Sequence, residues 1–408
     1  MNIGSTEGTL ERVGEGIELR RRRRELDAGL TEFYGLWHPQ PFREPRPAWC
    51  EDFPALASEV LALPDAAVAH FTNDDEAALG LLARHVPAVA DFLPLTRLPA
   101  CLGPDLPDYG PHWAWEIPGR KRSQIETFAA AAAPSGLPVL DWCGGKGHLG
   151  RLLALHWRVK ATSLDIDAAL CAEGENLARR TRVAHDFVVA DALAAGEKLS
   201  PDRHLVALHA CGELHRSAIR DAAEKGVVAI DVAPCCYYRG VEESYQPLAG
   251  GTRLRLSRDD LRLAVTETVT AAPRQARRRD RDMAWKLAFD SLRREMMGSV
   301  TYQPFKPVSP AWLADGFEPF IHRMAGREGL VLPAGFRAQV FEARGWQRQG
   351  EVMRLSIVRH AFRRALEIWL VLDLAVHLEE SGYAVGLGVF CPRELTPRNL
   401  LLSARRRG

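Results

Sequence analysis

Residues 139 to 149 read Val139-Leu140-Asp141-Trp142-Cys143-Gly144-Gly145-Lys146-Gly147-His148-Leu149. An apolar run ends on an acid, a glycine-rich turn follows, and helix-forming residues resume at Leu149. Glycine lets the backbone turn tightly and approach a ligand, and the next helix offers unpaired N-terminal amides. The rhythm repeats downstream, with apolar strand candidates at residues 159–166, 184–190, 205–209 and 227–232, separated by helices or loops. Such alternation predicts an α/β fold, a doubly wound and mostly parallel sheet with right-handed crossovers. Ligands of such sheets lie beyond the carboxyl ends of the strands.

The flanks read differently. Residues 25–110 are short helices broken by Pro39, Pro54, Pro64, Pro87 and Pro94, and a loop rich in Pro and Gly at 102–118 closes them. The expected organisation is an acidic, mainly helical N-terminal region over 1–117 and a main domain over 118–408. Within the latter, residues 240–350 are expected to form an insertion, followed by one helix over 352–380 and two last strands at 383–390 and 399–403. Arg20 to Arg24 is expected to begin a frayed helix or soluble tail. A total charge of +1 hides a division: residues 25–110 hold four Arg against fourteen acids, whereas residues 111–408 carry a net +9. The positive half can meet nucleic acid through its phosphates.

Three observations separate the glycine loop from phosphate binders. A Walker loop needs Ser or Thr after Gly-Lys, but Gly147 follows Lys146. Asp141 would repel a pyrophosphate and suits the amino group of an amino acid. Asp165 closes the next strand 24 residues on, where an acid for a ribose diol is expected, and Asp191 follows the third strand. With these acids the loop resembles the D-x-G-x-G-x-G motif of class I S-adenosylmethionine-dependent methyltransferases. The resemblance implies a Rossmann-like sheet and S-adenosyl-L-methionine as cofactor, bound by Asp141, Cys143, Gly145, Gly147, Asp165 and Asp191, with Asp191 at the adenine. Cys143 stands where the family has its first glycine. Either its dihedrals are ordinary or its sulfur lies against the cofactor.

Leu208-His209-Ala210-Cys211-Gly212-Glu213-Leu214 follows the fourth strand, and Asp231-Val232-Ala233-Pro234-Cys235-Cys236-Tyr237-Tyr238 the fifth. With the glycine loop they resemble a subfamily labelled methyltransferase-like or ribosomal RNA adenine dimethylase domain-containing, and more distantly a tRNA 2′-O-methyltransferase family. Gly119 to Glu126 and Leu395-Thr396-Pro397-Arg398-Asn399-Leu400 extend the likeness over about 118–408. It implies that His209, Cys211, Glu213, Cys235 and Tyr237 face the methyl acceptor. His209 reads as a general base or as a structural histidine. Cys235 reads as a nucleophile toward a pyrimidine or as a small buried thiol. No N/D-P-P-Y/F tetrapeptide follows the fourth strand, so methylation of an exocyclic base nitrogen loses support.

Strands one, four and five are neighbours in a class I sheet, so Cys143, Cys211, Cys235 and Cys236 are expected at one rim. Near His209 they either ligate a thiophilic metal or fill a crevice. With no C-x-x-C pair in the chain, no metal is assigned. The arginines of 274–294 read as an RNA groove or as a solvated face, with Tyr237 and Tyr238 as stacking platforms. Asp373 interrupts the most apolar helical stretch, so no membrane span is expected, and the cysteines point to a cytoplasmic protein. The reading is a methyltransferase acting on RNA, ribosomal or transfer. A protein or small-molecule acceptor, and a cofactor-binding scaffold without turnover, remain open.

Overall fold

The computed structural model describes residues 16–110, 112–266 and 273–408. Its centre is a seven-stranded sheet in the order β3-β2-β1-β4-β5-β7-β6. The strands are β1 (Val139–Trp142), β2 (Ala161–Asp165), β3 (His185–Val189), β4 (His204–Cys211), β5 (Ala229–Cys235), β6 (Tyr383–Val389) and β7 (Leu400–Arg406). The first five are parallel, while β7 runs antiparallel to both β5 and β6. Every residue of β1 and of β5 is buried, as befits central strands covered on both faces. Below β1 and β4, Phe128, Leu152, Leu153, Val206 and Leu401 share a core. The switch between β1 and β4 brings the ends of β1, β4 and β5 side by side.

The chain divides into two compact units. Among the described residues, one comprises 16–31, 91–266 and 363–408, the other 32–90 and 273–362. The 117/118 boundary expected from sequence therefore lies inside the first unit. At its N-terminal end the reason is that the Gly16–Glu32 helix is not self-sufficient. Arg23 of the Gly16–Glu32 helix is buried, paired with Asp373 at 3.1 Å and donating to the carbonyls of Ala249 and Gly250. Asp27 of the same helix accepts from the amide of Arg253 and from Trp369 Nε1. Arg20 to Arg24 is thus not a soluble tail, because a buried carboxylate at position 373 requires its counter-charge.

In the second unit the short helices Pro54–Ala62, Asp65–Asn73 and Asp75–Ala83 pack on the long helix Ala338–His360, which also packs on Pro273–Met297. Trp285, Phe289, Phe320, Met324 and Phe341 form the core of this unit. The single helix expected over 352–380 is two, Ala338–His360 and Arg363–Glu380, interrupted at Ala361 and Phe362. No helix among the described residues is long and apolar enough to cross a membrane.

Candidate active site

Two glycines of the turn after β1 leave no room for a side chain. A Cβ on Gly144 would lie 2.4 Å from the Asp141 carboxylate, and one on Gly147 2.5 Å from the His185 ring. Gly145 and Gly147 have φ of +56° and +62°, and Gly147 leads directly into the His148–Trp157 helix. Cys143 also adopts the left-handed region, at φ +57°. Its dihedrals are therefore those of the glycine it replaces, and the first of the two alternatives for it fails. Burial, then the Asp165 and Asp141 carboxylates, push its thiol up to about 12.

Asp141 lies buried beneath this turn. Its Oδ2 accepts from Ser163 Oγ at 2.8 Å and from the Gly150 amide at 3.1 Å. Burial outweighs both bonds and raises its pKa to about 6. Ser163 Oγ in turn meets His185 Nε2 at 2.8 Å. Since the serine hydrogen goes to the carboxylate, the imidazole donates through Nε2, and its buried Nδ1 has no partner among the described residues. Burial drives His185 down to about 3, so it stays neutral. Asp165 at the end of β2 accepts from the Gly145 amide at 2.9 Å and from the Asp167 amide at 3.0 Å. Asp191, beyond β3, is exposed and accepts from the Leu193 amide. Three carboxylates thus mark three successive strand ends around one glycine cradle.

Sequence reasoning missed the groups that hold the cradle from behind. Arg151 is wholly buried and donates to the carbonyls of Trp113 and Lys146 and, at 2.7 Å, to His148 Nδ1. Desolvation lowers it to about 10 and His148 to about 3. The signal was available in the spacing: positions 148 and 151 share a helix face, and both are polar where the opening turn of the helix packs inward.

The β4 and β5 ends form the second wall. The register shifts between Leu208 and Cys211, and His209 takes φ +74°. Its Nε2 lies 3.0 Å from Gln124 Oε1, on the Gly119–Ala131 helix. Desolvation, then Lys121, lowers the pKa of this imidazole. Cys211 Sγ lies 3.4 Å from Cys235 Sγ, and Cys236 turns back at φ +46° so that the three sulfurs are within 4.8 Å of one another. Hydrogen bonds from Cys211 and Cys236, then burial, hold Cys235 well above the usual thiol range. A buried, protonated thiol is poorly suited to nucleophilic attack. Cys236 is displaced the other way, first by hydrogen bonds from Cys211 and Cys235, then by Arg398 and Arg239.

Two candidates point elsewhere. Glu213, the first residue of the Glu213–Lys225 helix, pairs with Arg216, which also bonds the Gln246 carbonyl. Tyr237 is completely buried, edge-on to His215, and its hydroxyl has no hydrogen-bond partner among the described residues. Its ring is not a platform for a base. Tyr238 is half-buried with the Arg262 guanidinium 5.4 Å from its ring.

Residues 120–242 match the family described as a methyltransferase domain. No curated protein matches the chain. Among solved structures, the chain is similar to a TehB-like SAM-dependent methyltransferase from Corynebacterium glutamicum, with 16% identity, TM-score 0.23, and coverage of 29% of this chain and 62% of that one. It is similar to the 23S rRNA methyltransferase ErmE, with 24% identity, TM-score 0.23, and coverage of 27% and 45%. A third is the glycopeptide N-methyltransferase MtfA, with 18% identity, TM-score 0.22, and coverage of 29% and 54%. The matched part thus spans between 45% and 62% of those proteins. Residues 120–242 are a methyltransferase domain, with S-adenosyl-L-methionine as its cofactor. The donor set fits that group: an open glycine turn at a helix N-terminus, one acid under it, and acids at the next two strand ends.

Proposed function

We propose that the chain transfers the methyl group of S-adenosyl-L-methionine to RNA. The cofactor supplies a sulfonium methyl that is already activated, so the protein's task is proximity and orientation. Gly145 and Asp165 would hold the nucleoside and amino acid portions at the cradle, with Asp191 at its outer edge. The acceptor would enter over the β4 and β5 ends.

The observation that carries the choice of RNA is the charge at that rim. Lys121 is close enough to depress His209, and Arg239 and Arg398 are close enough to favour the Cys236 thiolate. The nearby acid Glu213 is neutralised by Arg216. A rim with three cations and a compensated acid favours a polyanion over a neutral small molecule. Separately, the second unit presents Arg274, Arg277 and Arg278 around a cavity of about 710 Å³ that also includes Trp346, 41% exposed. Arginines beside an exposed indole are the chemistry of phosphate contact and base stacking. Not all of the basic helix serves this purpose: Arg293 is buried against Asp290 and Glu328, and Arg294 pairs with Asp290.

The test is to incubate the purified chain with methyl-labelled cofactor and, in separate reactions, total RNA, protein extract and small-molecule extract. Label is expected in RNA, at a rate that falls steeply with added salt. Label in protein or small molecules alone would overturn the reading.

A further inference from the structure

Cys211 and Cys235 are the last residues of β4 and β5 and are paired in register. The shift of register after Leu208 lets Cys211 meet Cys235 at 3.4 Å, and the left-handed turn at Cys236 brings a third sulfur to the same place. Three of the six non-glycine residues with positive φ among the described residues, Cys143, His209 and Cys236, belong to this rim. Each such conformation costs about 1–3 kcal/mol, and such strain concentrates at ligand sites. Of the three clustered thiols, Cys236 is held in place by such a strained backbone, while Cys211 and Cys235 are fixed by the paired ends of their strands.

We propose that Cys211, Cys235 and Cys236 form a binding site for one thiophilic d10 cation, of which Zn²⁺ is the reference ion, with one coordination position left open to the rim. Metal–sulfur bonds of about 2.3 Å in a tetrahedral shell place sulfurs roughly 3.8 Å apart. The observed separations, 3.4 Å for the closest pair and at most 4.8 Å for the set, bracket that value. The thiols lose their protons to solvent as the ion binds. Three thiolates on a divalent ion leave one net negative charge, and Arg239 and Arg398 lie close by to balance it. The sulfur-only set selects against Mg²⁺ and Ca²⁺, which require oxygen. The fourth position would take water or an outer ligand.

This site does not depend on the identity of the methyl acceptor, so its failure and that of the RNA reading are distinguishable. The full chain, prepared without a metal-affinity step and reduced with a phosphine, is titrated with Zn²⁺ against a chromophoric chelator, and in parallel with Co²⁺. One equivalent of Zn²⁺ is expected, with Kd below about 1 μM, and a sulfur-to-cobalt charge-transfer band in the near ultraviolet. Cys236→Ser changes a half-buried residue and is expected to weaken binding at least about 100-fold while near-ultraviolet circular dichroism stays unchanged. Cys50→Ser is expected to leave binding intact. Binding of less than about 0.2 equivalents, absence of the cobalt band, or equal affinity in folded Cys236→Ser would overturn the proposal.

Discussion

Gln124 Oε1 faces His209 Nε2 at 3.0 Å, while the same amide donates through its own nitrogen to the Leu395 carbonyl at 3.1 Å. The second bond orients the amide, so His209 must donate through Nε2 and keep a lone pair on Nδ1. A base at this point matters for an acceptor that must lose a proton as it attacks. His209→Asn is expected to lower kcat about 100-fold or more while the calorimetric Kd for S-adenosylmethionine stays within about twofold. A parallel loss of cofactor affinity would assign His209 to the cradle instead.

Asp165 ties the glycine turn to β2 through the Gly145 amide. Asp165→Ala is expected to abolish measurable binding of S-adenosylmethionine with the circular dichroism spectrum unchanged, because the side chain is only partly buried. Unaltered affinity would mean that the cofactor is not held at the end of the second strand.

The cradle tolerates no side chain at Gly144, whose Cβ would meet Asp141 at 2.4 Å and Ser163 Oγ at 2.9 Å. Gly144→Ala is expected to weaken cofactor binding at least about tenfold as the turn shifts to relieve the clash. The comparison is Gly80→Ala, in the Asp75–Ala83 helix with nothing within 4 Å. That change is expected to raise stability by about 0.5–1 kcal/mol. Equal effects in the two variants, by calorimetry and urea melts, would count against a preformed cradle.

His185 gives a pH signature. Its folded pKa is depressed to about 3 against an unfolded value of about 6.5. Below about pH 6.5 the unfolded chain takes up a proton that the native state refuses, so stability falls on acidification until pH nears 3. His185→Gln is expected to lose less stability than the parent between about pH 6.5 and 5, by about 2 kcal/mol. Parallel urea midpoints for the two proteins over that range would show that His185 titrates normally.

Asp231 accepts from His204 Nε2 at 2.6 Å and from Arg405 at 2.8 Å, and it is wholly buried at the centre of the sheet. Asp231→Ala leaves the buried Nε2 of His204 without its partner and is expected to cost about 3–5 kcal/mol in urea unfolding at neutral pH. Its folded pKa is lowered, so this contribution is complete above the unfolded value of about 3.9 and fades as pH falls through the folded one. A cost that persists unchanged under acid would point to packing rather than charge.

The placement of the glycine turn and of the acids near it could be read from the chain alone because each lies at the end of an apolar run. Asp141, Gly145, Gly147, Asp165 and Asp191 follow strands whose apolar runs announce them, and the acids take the positions that strand ends dictate. Gln124, Ser163 and His185 escaped notice because each acts on a residue far along the chain. A single polar residue in a helix or strand carries no local sign of the partner it will meet.

What the sequence by itself determined is the run of parallel strands, since side-chain alternation and the handedness of connections are local, while the crossing point and the gathering of four cysteines toward one rim came with the resemblance to a class I sheet. What only the tertiary structure decided is which groups pair when the remaining faces are buried. Arg23 meets Asp373 across 350 positions, residues 32–90 share a compact unit with 273–362, and Tyr237 is buried while three thiols converge. Those outcomes depend on covering apolar surface and compensating buried charge over long separations, and neither constraint leaves a periodic trace in the chain.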